Sequence, residues 1–305
     1  MIKLNFTVIG FSCILLFACT PPAAKQTSTN ENIVEVIAKD YTFELPVSIL
    51  SGWTTFRLHN TGHCEHFFLL NILPDSISYP RYIQSVTRPF DVVFDSLKAG
   101  MSQEKAGALL GSVLPAWYFG GVKQMGGTGI VSPMKTAQTT VKLLPGNYVM
   151  ECYIKEKGQF HTALGMIRPL EVVKDSSEMQ PPQANVQMQL TNTSITISGD
   201  IHEGENTISV TFLEHPQYEL GNDIHVIRIG ADTDMENVIS WLNWMNIKGL
   251  ESPAPAEFLG GTQEMPVGYT SYFTVDLSPG SYAWIAESGA YRGLVEKFDV
   301  ERNTN

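Results

Sequence analysis

Cysteine is scarce in this chain of 305 residues. Only four are present, and two of them, Cys13 and Cys19, fall close to the N-terminus. The remaining two, Cys64 and Cys152, are too far apart in sequence for a Cys-x-x-Cys motif, and two cysteines are too few for a disulfide-rich scaffold. In an oxidising compartment these two cysteines could form one disulfide, and this alternative stays open from the sequence.

Basic residues and catalytic motifs are also few. The chain has 20 Lys and Arg against 31 Asp and Glu, a formal net charge of -11, which argues against a nucleic-acid partner. The sequence contains no Gly-x-Ser-x-Gly or His-Glu-x-x-His motif, and its scattered acidic residues give no defined catalytic pair. We therefore expect neither nucleic-acid binding nor hydrolysis, and we expect that the chain is not an enzyme.

The apolar run at the N-terminus is too short to span a bilayer comfortably. It ends in "LFAC", residues 16–19, which resembles the lipobox of bacterial lipoproteins. That resemblance implies a signal peptide over residues 1–18, lipidation of Cys19 and a polar tether over residues 19–31. The residue after Cys19 is Thr20 rather than Asp, and in this the sequence resembles outer-membrane lipoproteins. We expect a lipid-anchored protein of the bacterial cell envelope, held at the outer membrane and facing the periplasm or the surface.

Alternating apolar and polar residues dominate the rest of the chain. Runs such as "IVEVIAKDYTFEL", "TTVKLLPGNYVMECYI" and "MIRPLEVV" have the two-residue period of strands, so we predict an all-β protein made of β-sandwiches. Residues 79–117 differ, because their apolar residues recur at helical spacing and Ser102 is suited to be an N-cap. We predict a helical insertion there.

The two halves of the chain resemble each other. "LLPGNYVMECYI" aligns with "LSPGSYAWIAES", "WYFGGVKQM" with "EFLGGTQEM", and "GHCEHFFLLNI" with "GNDIHVIRIGA", in the same order. The polar, proline-bearing stretch between the halves indicates a linker. We predict a first domain over residues 32–174, a linker over 175–185 and a second domain over 186–302. The second domain is degenerate, because it has Ala286 where the first has Cys152.

The stretch "ECYIKEKGQFHTALGM" has an order of side chains that core packing does not require. Cys152, His161 and Met166 follow one another as Cys-x8-His-x4-Met, from the end of a predicted strand around a loop. A second imidazole, His66, stands upstream in "HCEHFFLL", where a loop enters an apolar strand. A thiolate, two imidazoles and a thioether are the ligands of a mononuclear copper site of the blue type, because soft sulfur suits Cu(I) and nitrogen tolerates both oxidation states.

This loop spacing, with the upstream Asn-x-Gly and His-Phe at residues 60–67, resembles the cupredoxin family and in particular the type 1 site of copper nitrite reductases. The resemblance covers residues 32–174. It implies tandem cupredoxin-like Greek-key sandwiches, with one copper ion held by His66, Cys152, His161 and, as a weak axial ligand, Met166. His66 and Cys152 are 86 residues apart, farther than in small cupredoxins, because the helical insertion lies between them.

Other histidines have simpler interpretations. His59 and His63 lie close to His66, and we interpret both as exposed loop residues, with a shift of the metal onto His63 as the less favoured alternative. His225 aligns with His66 but lacks a sulfur partner in the second half, so we interpret it as a structural relic.

Three functions are compatible with the sequence. The first is one-electron transfer through the copper, with a redox protein docking near the His161 loop, where we expect the imidazole edge to reach solvent. The second is a metal-free interaction module of the cell envelope with a Cys64–Cys152 disulfide. The third is storage or delivery of copper by the same ligands. Multicopper catalysis is disfavoured because Glu151 and Tyr153, rather than histidines, flank Cys152.

Overall fold

The computed structural model describes residue 1, residues 32–216 and residues 221–303. The predicted signal peptide after Met1, the tether and Cys19 lie outside the described residues. Within the described part of the chain, no helix is both long and apolar enough to cross a membrane.

The first half contains ten strands and five helices. The strands are β1 (Ile33–Lys39), β2 (Thr42–Glu44), β3 (Ser48–Asn60), β4 (Leu69–Ile72), β5 (Lys123–Gln124), β6 (Thr136–Leu143), β7 (Gly146–Glu151), β8 (Lys155–Glu156), β9 (Gln159–Phe160) and β10 (Ile167–Ser176). The helices are α1 (Tyr79–Tyr82), α2 (Arg88–Lys98), α3 (Gln103–Val113), α4 (Ala116–Gly121) and α5 (His161–Leu164), with a π-helical turn (Ile83–Thr87) between α1 and α2.

The first half is a sandwich whose two sheets share β3. The later part of β3 pairs in parallel with β1 and antiparallel with β6, whereas its first residues pair in parallel with β10. The second sheet continues from β10 through β7 and β4 to β5. Buried and exposed side chains alternate along β1 and β3, because successive side chains of a strand point to opposite faces.

The helical insertion lies between β4 and β5 and confirms the prediction from apolar spacing. Ser102 is the N-cap of α3, where its hydroxyl accepts a hydrogen bond from the backbone N–H of Lys105 at 3.4 Å. Helix α2 buries Val93, Phe94 and Leu97 against the core. Other residues of the insertion form a second, smaller apolar cluster that includes Val149 of β7 and Ile167 of β10, so the insertion is packed against the sandwich.

The second half repeats the sandwich with fewer elements. Its strands are β11 (Val186–Leu190), β12 (Ile195–Gly199), β13 (Gly204–Phe212), β14 (Ile224–Ile229), β15 (Glu257–Thr262), β16 (Thr270–Leu277), β17 (Gly280–Ile285) and β18 (Val295–Val300). Its helices are α6 (Met235–Leu242) and a 3-10 turn (Ala290–Arg292). One sheet has the order β12-β11-β13-β16 and the other β15-β14-β17-β18. The all-β prediction with two sandwiches and one helical insertion is confirmed.

Equivalent tyrosines support the internal repeat. Tyr148 in β7 donates a hydrogen bond to the carbonyl of Leu144 at 2.8 Å, and Tyr282 in β17 donates one to the carbonyl of Ser278 at 2.7 Å. The alignment of "LLPGNY" with "LSPGSY" therefore corresponds to the same local structure in both halves.

The alignment of the glycine pairs is wrong. Gly120 and Gly121 end helix α4, whereas Gly260 and Gly261 lie in β15 with φ values of 107° and 133°. The tripeptide Gly-Gly-Thr instead recurs at residues 126–128 and 260–262, and Thr128 and Thr262 face each other in an antiparallel bridge. A short Gly-Gly match placed in a helix by its neighbours cannot be distinguished from one in a strand by sequence alone.

The two halves are joined through their sheets. β6 pairs antiparallel with β16 over Gln138–Thr140 and Tyr272–Thr274. This pairing joins the sheet that contains β3 in the first half to the sheet that contains β13 in the second half. Buried apolar residues of both halves form one continuous cluster. Residues 177–185, between β10 and β11, contain neither helix nor strand. The domain boundaries given above stay predictions.

Candidate metal centre

His66 is held by the loop that precedes β4. Its backbone forms a two-bond bridge with Val131: the His66 N–H donates to the Val131 carbonyl at 3.1 Å, and the His66 carbonyl accepts from the Val131 N–H at 2.7 Å. Asn60 fixes the start of this loop, because its side-chain amide donates to the carbonyls of Cys64 at 2.8 Å and Val131 at 2.9 Å. Gly62 leaves space for the imidazole, since a Cβ there would lie 2.9 Å from Nε2 of His66.

Cys152 directly follows β7 and is fully buried. Its backbone N–H donates to the carbonyl of Met166 at 3.2 Å. His161 begins α5, and its own N–H donates to the carbonyl of Ile154 at 2.7 Å. Met166 N–H in turn donates to the carbonyl of His161 at 2.8 Å. These backbone bonds tie the three residues of the Cys-x8-His-x4-Met segment into one rigid loop.

The structure brings both predicted histidines to the cysteine. Sγ of Cys152 lies 3.7 Å from Nδ1 of His161 and 4.0 Å from Nδ1 of His66. In a trigonal set with metal–nitrogen bonds of about 2.0–2.1 Å and a metal–sulfur bond of about 2.3 Å, sulfur and nitrogen lie about 3.8 Å apart. The observed separations are therefore those of a set that converges on one ion. The side chain of Met166 is fully buried, and its backbone is bonded to Cys152 and His161.

Burial sets the protonation of these groups. It lowers the pKa of His66 to about 3, with His161 adding to the effect, and lowers that of His161 to about 4. Both rings are thus neutral, which is the form that binds metals. Burial raises the pKa of the Cys152 thiol to about 12, although backbone N–H groups of Phe67 and Ile154 oppose the rise. A thiolate at this position needs a cation in place of the proton.

The site is closed to solvent. His66 is 1% exposed and His161 is 0% exposed, and Phe67 and Phe160, their neighbours in sequence, are buried as well. The expectation that the His161 edge reaches solvent is therefore wrong. The ring of Tyr41 lies over His161 instead, edge-on, with the ring centroids 5.1 Å apart. No pattern in the sequence predicts this contact.

The alternative of a Cys64–Cys152 disulfide is also wrong in this structure. Both thiols are free and buried. The side chain of Cys152 faces the two histidines, whereas the thiol of Cys64 donates to Oε2 of Glu156 at 3.3 Å. The two sulfur atoms therefore contact different side chains, Glu156 for Cys64 and His161 for Cys152.

A second buried group was missed by the sequence reasoning. His225 lies with Asp223 and Glu287 in a cluster whose polar atoms are within 4.8 Å of one another. Nδ1 of His225 accepts the backbone N–H of Ile130 at 3.1 Å, and its Nε2 lies 2.9 Å from Asp223. His225 is therefore a link to the first half rather than a relic without a role. Asp223 alone, two residues before His225, could have signalled the pair.

The neutral rings, the buried thiol and the spacing of nitrogen and sulfur show that these side chains fit a type 1 copper site. The Greek-key sandwich that carries them confirms the predicted fold. The fold is cupredoxin-like.

Comparison with known proteins gives structural matches only. Neither the family models nor the curated proteins searched match this sequence. A reduced auracyanin from the photosynthetic bacterium Roseiflexus castenholzii is 17% identical, with 47% of this chain and 97% of that chain covered and a TM-score of 0.27. A copper nitrite reductase from Nitrosomonas europaea is 10% identical, with 90% and 94% covered and a TM-score of 0.23.

The cupredoxin-like matches also include a multi-copper oxidase from Pediococcus acidilactici, 8% identical, with 90% of this chain and 60% of that chain covered and a TM-score of 0.23. The prediction that the chain is not an enzyme is wrong, because its structural matches include copper nitrite reductases and multicopper oxidases.

Proposed function

We propose that this chain is an exported, lipid-anchored copper protein that transfers single electrons through a type 1 site formed by His66, Cys152, His161 and Met166. The observation that carries the proposal is the convergence of two neutral imidazoles and one thiol within 4.8 Å in a fully buried pocket. Copper supplies one-electron redox chemistry when bound by such ligands.

The protein supplies the rigidity that this chemistry needs. The backbone bonds among Cys152, His161 and Met166 and the bridge from His66 to Val131 fix the donors in advance. Because the four ligand side chains are buried, water would be kept from adding as a further ligand when the oxidation state changes. Complete burial also favours electron transfer over copper storage or delivery, since delivery needs a metal that leaves readily.

The redox partner docks, in this proposal, on the surface above Tyr41. His161 is buried, and the half-buried ring of Tyr41 is the side chain that lies over its imidazole. A partner that contacts Tyr41 would be separated from the ligand by a single aromatic ring.

The visible spectrum tests the copper site. The reduced, metal-free protein is titrated with Cu(II), and we expect an intense thiolate-to-copper band that saturates at one equivalent. The band should be lost in Cys152→Ser and kept in Cys64→Ser, because only Cys152 faces the histidines. A colourless titration, or a band that follows Cys64, would refute the proposal.

The lipid anchor is tested separately. Its support is the "LFAC" pattern ending at Cys19, with Thr20 after it. We expect the protein in the outer-membrane fraction of the cell envelope and its Cys19→Ser variant among soluble or unprocessed proteins, because two or more acyl chains are needed for stable anchoring. Equal distribution of the two proteins would exclude lipidation at this cysteine.

A further inference from the structure

Three metal-binding side chains outside the copper site meet at its solvent side. They are His63, Cys64 and Glu156, whose ligand atoms all lie within 4.8 Å of one another. His63 and Cys64 belong to the loop before His66, and Glu156 ends strand β8. The group therefore joins two segments that are far apart in sequence.

One carboxylate oxygen is the centre of this group. Oε2 of Glu156 lies 3.3 Å from Sγ of Cys64 and 3.4 Å from Nε2 of His63. Around a tetrahedral zinc ion with bonds of about 2.0–2.2 Å to oxygen and nitrogen and about 2.3 Å to sulfur, oxygen lies about 3.4 Å from nitrogen and about 3.5 Å from sulfur. These two distances match two edges of that tetrahedron, and the third lies within 4.8 Å.

Neighbouring groups hold the ligands in place. The hydroxyl of Tyr41 donates to the same Oε2 of Glu156, and the other ring nitrogen of His63 lies 3.8 Å from Asp40. Carboxylates and hydroxyls placed behind the ligands in this way hold them in a fixed orientation. Lys157 contacts Oε1 of Glu156 at 3.1 Å and leaves Oε2 to the cluster.

The cluster is open on one side. The side chain of His63 is 63% exposed and that of Glu156 is 12% exposed, whereas Cys64 is buried beneath them. An ion can therefore reach the three ligands from solvent and keep water as a fourth ligand. The copper ligands, by contrast, are fully covered.

We propose that His63, Cys64 and Glu156 form a second metal site that takes one borderline-soft divalent cation of the Zn(II) class. The cation displaces the thiol proton of Cys64 to solvent and is bound by thiolate, imidazole and carboxylate, with a solvent molecule completing the tetrahedron. The site shares no ligand with His66, Cys152, His161 or Met166, and it does not depend on the copper function.

The test uses the full-length protein carrying Cys152→Ser, so that the thiol of Cys64 is the one thiol among the described residues. Co(II), which reports thiolate ligation through a charge-transfer band, is the probe, and Zn(II) is then added in competition. We expect one equivalent of Co(II) with this band and its displacement by Zn(II). Adding Cys64→Ser should remove the band.

Single variants define the other ligands. His63→Ala and Glu156→Gln should each weaken Co(II) binding by at least about tenfold, as loss of metal-site groups generally does. His59→Ala is the matched control, because His59 is an exposed histidine of the same region that pairs with Glu35 and should leave the affinity unchanged. Thermal unfolding of each variant verifies that it folds.

Three results would overturn the second site: no thiolate band in the Cys152→Ser protein, a band that survives Cys64→Ser, or full affinity in both His63→Ala and Glu156→Gln. Failure of the copper proposal is seen instead in the Cu(II) titration of the unmodified protein. The two outcomes are therefore distinguishable.

Discussion

Tyr41 occupies a backbone position that disfavours a tyrosine. Asp40 and Tyr41 form the two-residue turn between β1 and β2, with φ values of 46° and 65°. Such turns require positive φ at both residues and favour Asn and Gly, because a Cβ is crowded there. The ring of Tyr41 nevertheless covers His161 and its hydroxyl bonds Glu156. We infer that the contacts of the side chain compensate for the strain of the turn.

Substitution of Tyr41 separates these two effects. Tyr41→Ala and Tyr41→Gly both lose the ring, but only glycine accepts the positive φ without cost. We expect Tyr41→Gly to have a free energy of unfolding about 1 kcal/mol higher than Tyr41→Ala, measured by denaturant unfolding of the metal-free proteins. Equal stabilities would show that the turn is not strained.

At this scale the sequence predicts ligands better than their surroundings. The order of Cys152, His161 and Met166 can be read directly, because loop spacing within one segment fixes their approach. The cover from Tyr41 cannot, since the contact joins residues distant in sequence and a turn has no periodicity. Cys64 donates a hydrogen bond to Glu156 and forms no disulfide with Cys152, and this too depends on the directions of side chains from separate loops.

The loop from Cys152 to His161 is fastened by the second half of the chain. Strand β8 bonds residues 250–252 through Lys155 N–H and C=O, at 2.7 and 2.8 Å. The Lys155 side chain is fully buried and donates to the carbonyls of Trp244 at 3.0 Å and Asn246 at 2.9 Å. Its Nζ also lies 4.0 Å from the ring centre of Phe94 in α2. One lysine thus joins the ligand loop, the helical insertion and the second half.

Lys155→Met should destabilise the protein by about 1–3 kcal/mol. The methionine keeps the apolar stem but leaves two buried carbonyls without a donor, and an unsatisfied buried group costs about that much. Denaturant unfolding measures the change, and Lys142→Met on the exposed side of β6 is the matched control. A loss no larger than that of the control would show that water replaces the ammonium group.

The elements themselves were largely predictable. Alternation gave the strands around β3, β7 and β10, and Ser102 marked the start of α3, because caps and periods are local properties. The π-helical turn before α2 was not predicted, since no residue of Ile83–Thr87 distinguishes it from an α-helix. The fastening by Lys155 was also missed, because a lysine in sequence normally indicates a solvated surface.

Acidic side chains gather where the two halves meet. A cavity of about 60 Å³ there is lined by Glu151, Asp223, Glu264 and Glu287 among others. Burial raises the pKa of Glu264 to about 8 and, with Asp223 adding, holds that of Glu287 well above its usual range. The junction therefore contains carboxyl groups that retain protons near neutral pH.

Glu264→Gln should change how stability depends on pH. A carboxyl whose folded pKa is raised binds an extra proton in the folded state, so its contribution is fully present below the unfolded pKa, near 4.5, and is lost as pH rises towards 8. Relative to the unmodified protein, the free energy of unfolding of the variant should be about 1–2 kcal/mol higher at pH 8 than at pH 5. The value is kept small because Glu264 retains some contact with solvent. Denaturant unfolding at both pH values measures it. Exposed Glu205→Gln should give no such difference, and a pH-independent effect of Glu264→Gln would contradict the expectation.

The pairing of β6 with β16 has a consequence for assembly. These are equivalent strands of the two halves, and equivalent strands that pair antiparallel are related by a local two-fold axis, as in a symmetric dimer. The chain is in effect a dimer linked into one molecule, so the association of its halves does not depend on protein concentration. The edges of β6 and β16 pair with each other and are not open to strands of other chains. A covalent link of this kind also lets the second half lose its sulfur ligand without being lost from the protein, because the first half still needs the sheet pairing that the second half provides.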